Sequence, residues 1–236
     1  ISDFGGHLLA KHFVVFLFFF ISGIFFYLIL KKIIENENFS KTGTIIYLLY
    51  PYLFGQSLFS PKDVPFMSIW VICTYLSLKI FERLIDKKDI SNFNTILFAF
   101  MTSYLLSIRI AGILIFLQYL VTFIIYLNLT NTNILYFIKK FYLNLLIFVF
   151  GTIVFTIVFY PELWINPLGV VEVINTMANH FNNVGTNTYG KIMYSTNLPS
   201  TYMLIWFSVK LPTIIIIGIF LIPFTEKKIF SSSKKS

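Results

Sequence analysis

The sequence predicts an all-α, polytopic integral membrane protein, and three of its features carry that prediction. Hydrophobic residues make up 57% of the chain and charged residues only 12%, which leaves too little polar surface for a soluble globule. Apolar runs recur at the length of about 20 residues that a helix needs to cross a hydrocarbon core of about 30 Å. Lysines and arginines gather at the edges of these runs, as they do beside membrane-spanning helices.

The same length filter predicts about seven transmembrane helices in a single transmembrane domain, 1–236. They cover about 12–30, 43–59, 64–81, two segments within 93–127, 141–160 and 202–224. Pro51 is expected to kink the second helix. The run 93–127 would be about 52 Å long as one helix, which is too long for one crossing. We therefore expect two helices there, joined by a tight turn near Ser107–Gly112.

The distribution of cations predicts the orientation of these helices. One side carries Lys31, Lys32, Lys41, Lys79, Arg83, Lys87, Lys88, Lys139, Lys140, Lys227, Lys228, Lys234 and Lys235, whereas the other carries only Lys11, Lys62, Arg109, Lys191 and Lys210. The positive-inside rule makes the first side cytoplasmic, in a multi-pass protein of the plasma (inner) membrane. The rule also accounts for the net charge of +8, so nucleic acid is not expected as a partner.

The start of the chain and its single cysteine add further expectations. The chain begins at Ile1, with no initiator methionine and no basic stretch before its first apolar run, so we expect an N-terminally truncated fragment. Cys73 lies inside an apolar run, which predicts a small core residue rather than a disulfide or a thiolate metal site. His7 and Lys11, one helical turn apart, are expected to point toward anionic headgroups or a lipid-linked phosphate.

Function is sought on the predicted outer face, because polar residues held there have no obvious role in topology. Lys62 and Asp63 lie between Pro61 and Pro65, immediately before a predicted crossing. The prolines fix local φ angles, so Asp63 could present an anionic group at the mouth of a cavity. Asp63 could equally cap the N-terminus of the next helix, which would need no substrate. The sequence leaves both interpretations open.

Arg109 is the only cation within the run 93–127. Its guanidinium could bind a phosphate through two hydrogen bonds at the outer interface. Alternatively, it extends to lipid headgroups while its apolar stem stays in the membrane. Lys210 lies about eight residues into the last predicted crossing, where a charge needs a partner or water, or it marks a kink beside Pro212.

The predicted extracytoplasmic loop 161–201 is far longer than a minimal connector, and loops of that length are commonly functional. Its aromatic and amide content suits a sugar-binding surface that includes Trp164, Tyr194 and Tyr202. The same three side chains also fit an aromatic belt at headgroup level. His180 has no second His or Cys at ligand spacing, which favours a hydrogen-bonded loop residue over a metal ligand.

A series of short motifs follows the predicted outer face along the chain. They are His7-Leu8-Leu9, Pro61-Lys62-Asp63-Val64-Pro65-Phe66, Ser107-Ile108-Arg109-Ile110-Ala111-Gly112, Trp164-Ile165-Asn166-Pro167, Gly190-Lys191, Asn197-Leu198-Pro199-Ser200-Thr201-Tyr202 and Lys210-Leu211-Pro212. In this order they resemble the polytopic glycosyltransferases that use lipid-phosphate-linked sugars, a group that includes family 39, the protein O-mannosyltransferases and the aminoarabinose transferases. Each motif alone is weak, and the likeness covers nearly the whole chain.

The resemblance implies the C-type glycosyltransferase fold and transfer of a sugar from a polyprenyl-phosphate donor to a lipid, glycan or protein acceptor on the extracytoplasmic face. In such enzymes the main catalytic carboxylate lies in the first outer loop, which we expect upstream of Ile1. Asp63 is the candidate catalytic carboxylate within the chain. The candidates for substrate binding are Lys62, Arg109, Trp164, His180, Lys191, Tyr194 and Tyr202. Among them Lys62, Arg109 and Lys191 are assigned to the donor phosphate.

Cofactors and a rival function stay open at this point. The sequence gives no dependable set of metal ligands, so whether a divalent metal assists is undecided. Membrane lipids are expected partners in any case. The alternative function is a membrane transporter or lipid-linked sugar flippase, whose ionisable groups would lie near mid-membrane and whose halves would repeat. The charges here other than Lys210 gather at one face and no half-repeat is visible, which favours surface chemistry.

Overall fold

The computed structural model describes residues 2–34, 36–86, 88–166, 169, 172, 175–176, 185–188, 190–194, 197–213 and 215–221. The chain divides into two compact units, Ile1–Ile174 and Asn175–Ser236. The first unit contains helices α1 (Ser2–Ile33), α2 (Glu37–Leu49), α3 (Pro51–Ser57), α4 (Asp63–Ile85), α5 (Asn92–Ile108), a 3-10 helix (Ile110–Leu114), α6 (Ile115–Thr130), α7 (Ile134–Phe159) and α8 (Glu162–Ile165). The second unit contains the strands β1 (Gly185–Thr188) and β2 (Lys191–Tyr194) and the helix α9 (Tyr202–Lys210).

The chain is an all-α, membrane-embedded protein, as predicted. Among the described residues, four helices are long and apolar enough to cross a membrane: Gly6–Ile33, Asp63–Ile85, Ile110–Thr130 and Ile134–Phe159. A fifth span is counted only if Tyr202–Lys210 and Ile215–Leu221, which are bent by 112°, are taken as one. The described residues therefore give four or five spans by this criterion, against the seven predicted from the sequence.

Two of the predicted crossings fail the length criterion for different reasons. The segment expected over 43–59 is two helices, because Pro51 starts α3 and the preceding Tyr50 is extended (φ −60°, ψ 116°). A residue before proline is disfavoured in the helical region, so the break lies where the sequence predicts a kink. Helix α5 has only 17 residues, since its apolar run is interrupted at Arg109.

The local sequence sets how α2 begins. The Asn36 side chain accepts hydrogen bonds from the backbone nitrogens of Asn38 and Phe39, and so caps the first turn. Lys41 Nζ lies 2.8 Å from Glu37 Oε1, one turn away. The hydrogen bond from Lys41 lowers the pKa of the Glu37 carboxyl below its usual value. These contacts stabilise the first turns of α2.

Contacts along α4 show how the helices of the first unit run. Helix α5 is antiparallel to α4, because Lys79 hydrogen-bonds Asn94 near one end and Arg109 contacts Asp63 at the other. The chain then reverses, and Trp70 Nε1 of α4 donates to Gln118 Oε1 of α6 at 2.9 Å. The turn predicted near Ser107–Gly112 is thus confirmed.

Helix α7 packs on α5 through apolar and polar contacts. Asn144 donates to the hydroxyl of Thr95 at 3.0 Å, and Ser103 donates to the carbonyl of Thr152 at 2.9 Å. Such hydrogen bonds between helices are worth about 0.6 kcal/mol each on average in membrane proteins. Cys73 is fully buried in the adjoining apolar core, as its sequence context predicts.

The first unit has two chemically different ends. One, the cation-rich end, is where α1 and α4 finish and α5 and α7 begin. It carries Lys31, Lys32, Lys79, Arg83, Lys88, Lys139 and Lys140. The other, the Asp63 end, is where α4 begins and α5 finishes, and its described cations are Lys11, Lys62 and Arg109. The bundle therefore reproduces the charge asymmetry that the sequence predicts.

The second unit contains structure that the sequence reading missed. Strands β1 and β2 pair antiparallel with Thr188 opposite Lys191, so part of the predicted loop 161–201 is a hairpin. Gly190 has φ 73° in its turn, a conformation that glycine adopts at little cost. The sequence gives only a weak signal for this hairpin, because each strand has only four residues.

Candidate functional site

The Asp63 end is organised around one ion pair. Asp63 is the first residue of α4, and Arg109 directly follows the last residue of α5. Nη1 of Arg109 donates to Oδ1 of Asp63. Oγ of Ser60 donates to Oδ2 of the same carboxylate at 3.0 Å. The fold therefore joins two candidates that lie 46 residues apart in the sequence.

This geometry bears on the interpretation of Asp63 as the cap of α4, which is wrong. The N-cap position of α4 is Lys62, and no side chain caps that helix through a hydrogen bond. The carboxylate instead binds Arg109 and Ser60, while its place in the first turn still favours a negative charge near the helix N-terminus. The Asp63 side chain is 58% exposed and the Arg109 side chain 44% exposed, so a ligand can reach both.

The tight turn after α5 holds Arg109 in position. The amide of Gly112 donates to the carbonyl of Arg109 at 2.9 Å, which closes the 3-10 turn. Gly112 is buried, and a Cβ placed on it would lie 2.9 Å from the carbonyl oxygen of Leu105. The chain can fold back this closely on α5 because the residue there has no side chain.

An apolar cleft of about 420 Å³ adjoins the ion pair. It is lined by Ala10, Lys11, Val14, Val15, Phe18, Pro61, Pro65, Tyr104 and Ile108. The two prolines flank Asp63, and Ile108 immediately precedes Arg109. Lys11 is the one charged side chain in this lining. The cleft therefore combines apolar walls with a cation at the same end as the ion pair.

Helix α1 and the segment before α4 are tied together beside this cleft. Nδ1 of His12 donates to the carbonyl of Leu58. The sequence did not single out His12, and it predicted for Lys11 an orientation toward anionic headgroups or a lipid-linked phosphate, without the cleft. No local pattern signals either role, because both depend on α1 packing beside residues 58–65.

The other candidates of the first unit have simpler surroundings. Lys62 is exposed next to Asp63. Trp164 is 63% exposed on α8, and its Nε1 donates to the carbonyl of Ile157 at 2.7 Å, which ties it to the end of α7. The sugar-binding role assigned to Trp164 stays a prediction.

The remaining candidates belong to the second unit or lie outside the described residues. Lys191 and Tyr194 are exposed at the two ends of β2. Tyr202 begins α9, where its ring lies 6.5 Å from that of Trp206. His180 lies outside the described residues. The predicted roles of these four residues stay predictions.

The support for this candidate site comes from its geometry. Within the described part of the chain, no group of three or more His, Cys, Asp or Glu side chains could hold a metal ion. Comparisons of the chain with models of protein families, with curated proteins and with solved structures found no match.

Proposed function

We propose that this protein is a membrane glycosyltransferase that moves a sugar from a polyprenyl-phosphate donor to an acceptor at the Asp63 end. The observation that carries the proposal is the contact between Asp63 and Arg109 beside an apolar cleft that contains Lys11. A lipid phosphate has an apolar tail and an anionic head. The cleft offers apolar walls for the tail, and Lys11 and Arg109 offer positive charge for the head. The motif resemblance described above supports the same reaction.

Arg109 is suited to the donor phosphate by its remaining hydrogen-bonding capacity. A guanidinium has five N–H donors, and the contact to Asp63 is made through Nη1. The other donors can face phosphate oxygens while Asp63 holds the planar group in place. Lys11 and the exposed Lys62 add positive charge at the same end.

The proposed reaction breaks the bond between the anomeric carbon and the phosphate oxygen, and the bonding pair leaves with the polyprenyl phosphate. A hydroxyl or amine of the acceptor forms the new bond to that carbon and gives its proton to a carboxylate. Cations positioned on the phosphate stabilise the charge of the leaving group. Asp63 is the proposed site carboxylate, because it is half-exposed and held by Ser60 and Arg109.

We also propose that the cation-rich end is cytoplasmic, in a plasma (inner) membrane, and that the chain crosses seven times. Helix α5 contacts α4 at Asp63 and at Lys79, about 24 Å apart at 1.5 Å per residue, so the short helix covers most of the length of a helix that is long enough to cross. The broken pair α2–α3 similarly runs from the end of α1 back to its start. The seventh crossing is assigned to the bent pair that begins with α9.

The experiment supplies purified protein in lipid nanodiscs with a panel of polyprenyl-phosphate hexoses and pentoses and measures release of free polyprenyl phosphate. We expect Arg109→Ala and Asp63→Asn to lower kcat/KM by about 10²-fold or more, since each loses a group that stabilises developing charge. Arg109→Lys should recover only part of the activity, because an ammonium cannot reproduce the planar fork.

The matched control is Glu82→Gln, which removes the ion pair between Lys32 and Glu82 at the cation-rich end. That pair also joins two helices, so the control separates loss of the site from loss of any helix contact. Turnover should survive this change. Unchanged turnover in both Asp63→Asn and Arg109→Ala would reject the site. Absence of turnover with every donor, together with donor flux across vesicles, would favour the transporter or flippase.

A further inference from the structure

A second cavity lies between helices α4, α5, α6 and α7, toward the cation-rich end, and it has no part in the proposed transfer. Its volume is about 380 Å³. Aromatic side chains dominate the lining, among them Phe81, Tyr126, Phe137 and Phe141. The polar side chains in the lining are a minority that includes Thr95 and Asn144, which hydrogen-bond each other. A ligand of this cavity must therefore be almost entirely apolar.

The cavity lining is long enough for one leaflet of a membrane. It runs along α7 from Ile134 to Phe148, a distance of about 21 Å at 1.5 Å per residue. Half of a hydrocarbon core of about 30 Å is about 15 Å, so the lining is longer than the hydrocarbon of one leaflet. At the far end Phe98 stacks on Phe148 with ring centroids 4.9 Å apart. The lining therefore has the length to hold a single acyl chain of the leaflet at the cation-rich end.

The α7 wall of the cavity is bent and open. Phe141 has non-helical angles (φ −111°, ψ 19°) inside α7, and no proline or glycine lies in the neighbouring turns. Sharp bends in helices are usually caused by proline, by glycine or by a group inserted into the helix. Ile134 and Ile138 line the cavity and are still 50% and 45% exposed. An acyl chain can therefore enter beside the first turns of α7.

Cations surround this entrance. Lys139 and Lys140 lie between the lining residues Ile138 and Phe141, and Lys140 Nζ stands 5.2 Å from the centre of the Phe141 ring. Neither lysine forms an ion pair within the described residues. Of the nearby acidic side chains, Glu82 pairs with Lys32 and Asp86 with Lys88, whereas the exposed Asp89 forms no ion pair within the described residues. Lys139 and Lys140 still leave the entrance with more positive than negative unpaired charge. The headgroup expected here is anionic.

We infer that this cavity binds one acyl chain of an anionic phospholipid from the leaflet at the cation-rich end, with its headgroup on Lys139 and Lys140. The lipid is distinct from the proposed sugar donor, whose phosphate would lie at the Asp63 end. A bound chain fills the space that the bend at Phe141 opens and stabilises the packing of α7 on α4 and α6. The inference does not depend on the proposed transfer reaction.

The test uses phosphatidylglycerol with a diazirine near the end of one acyl chain, as a trace in phosphatidylcholine nanodiscs. After irradiation, mass spectrometry of peptides should place the label on the cavity-facing residues of α7 within 137–148. Leu145→Trp fills the cavity and should cut this labelling by about five-fold or more, because a packed interior leaves no room for the chain. The matched control Leu146→Trp, on the 60% exposed neighbour, should leave it unchanged.

A second variant keeps the inference testable if Leu145→Trp fails to fold. Lys139→Gln with Lys140→Gln changes only exposed side chains and should lower labelling by phosphatidylglycerol, about five-fold per lysine, relative to the phosphatidylcholine analogue. Equal labelling of wild type and Leu145→Trp would overturn the acyl-chain site. Equal labelling by the two lipids would overturn the anionic headgroup. Displacement of the probe by polyprenyl phosphate, but not by unlabelled phosphatidylglycerol, would overturn the phospholipid.

Discussion

Replacing Gly112 by alanine should damage the turn that carries Arg109. A Cβ at this position would lie 2.9 Å from the Leu105 carbonyl oxygen, 3.1 Å from its carbon and 3.2 Å from Cα of Leu106. All three atoms belong to the backbone, so no side chain can rotate away. Gly112 does not have a positive φ, and the damage would therefore be steric rather than conformational. The added methyl group must push the 3-10 helix away from α5.

The expected cost follows from the size of this clash. Introducing a methyl group into a well-packed site that must shift its backbone costs about 1–3 kcal/mol. In a chain of this size each kcal/mol lowers the unfolding midpoint by about 2–4 °C, so Gly112→Ala should lower it by about 2–12 °C. Gly55 provides the matched control, because a Cβ there meets nothing within 4 Å. Gly55→Ala should instead stabilise helix α3 by about 0.5–1 kcal/mol.

The assay is thermal unfolding of both variants in the same detergent, followed by circular dichroism at one heating rate. A fixed rate matters because membrane proteins often unfold irreversibly and the midpoint then depends on the scan. The reasoning is refuted if Gly112→Ala melts with the wild type, or if Gly55→Ala melts lower than Gly112→Ala. If the clash is real, Gly112→Ala should also reduce the proposed sugar transfer, since the turn positions Arg109.

Three further predictions concern helix ends, polar contacts and ion pairs. Asn36→Ala removes the cap of α2 and should cost about 1 kcal/mol, seen as a lower melting temperature, whereas Asn36→Asp should retain most of the stability. Gln118→Leu leaves the indole N–H of Trp70 without its acceptor and should cost about 0.6–1.7 kcal/mol, accompanied by a change in tryptophan fluorescence. Glu82→Gln should change the melting temperature little and cost less than about 1 kcal/mol, because its pair with Lys32 is partly exposed; a larger loss would show that this pair clamps α1 to α4.

The candidate site shows how far local sequence reaches. Pro61 and Pro65 around Asp63, and the interruption of an apolar run at Arg109, singled out both residues without any knowledge of their contact. The sequence could not show that Asp63 pairs with Arg109 instead of capping α4, because that contact depends on where α5 ends relative to α4. The position of Lys11 in the cleft could not be predicted for the same reason, since several of its neighbours there come from residues 61–65 and 104–108.

The number of spans shows what the sequence of a single segment cannot predict. A window of apolar residues predicts that a segment enters the membrane, and Pro51 predicts where one helix breaks. Such a window does not reveal that α5 stops after 17 residues, or that it lies along α4 from Asp63 to Lys79. These contacts join residues that are far apart in the sequence, which a reading of one segment at a time does not contain.

The sequence by itself determined the membrane-embedded, helical class, the segregation of cations to one end and the turn near Gly112. These properties follow from the free energy of moving each segment from water to hydrocarbon, which depends on that segment's own composition. Only the tertiary structure decided that Asp63 meets Arg109 and that four helices enclose an apolar cavity beside Lys139 and Lys140. Those features depend on which helix faces pack together, and packing is a property of the whole bundle rather than of any one segment.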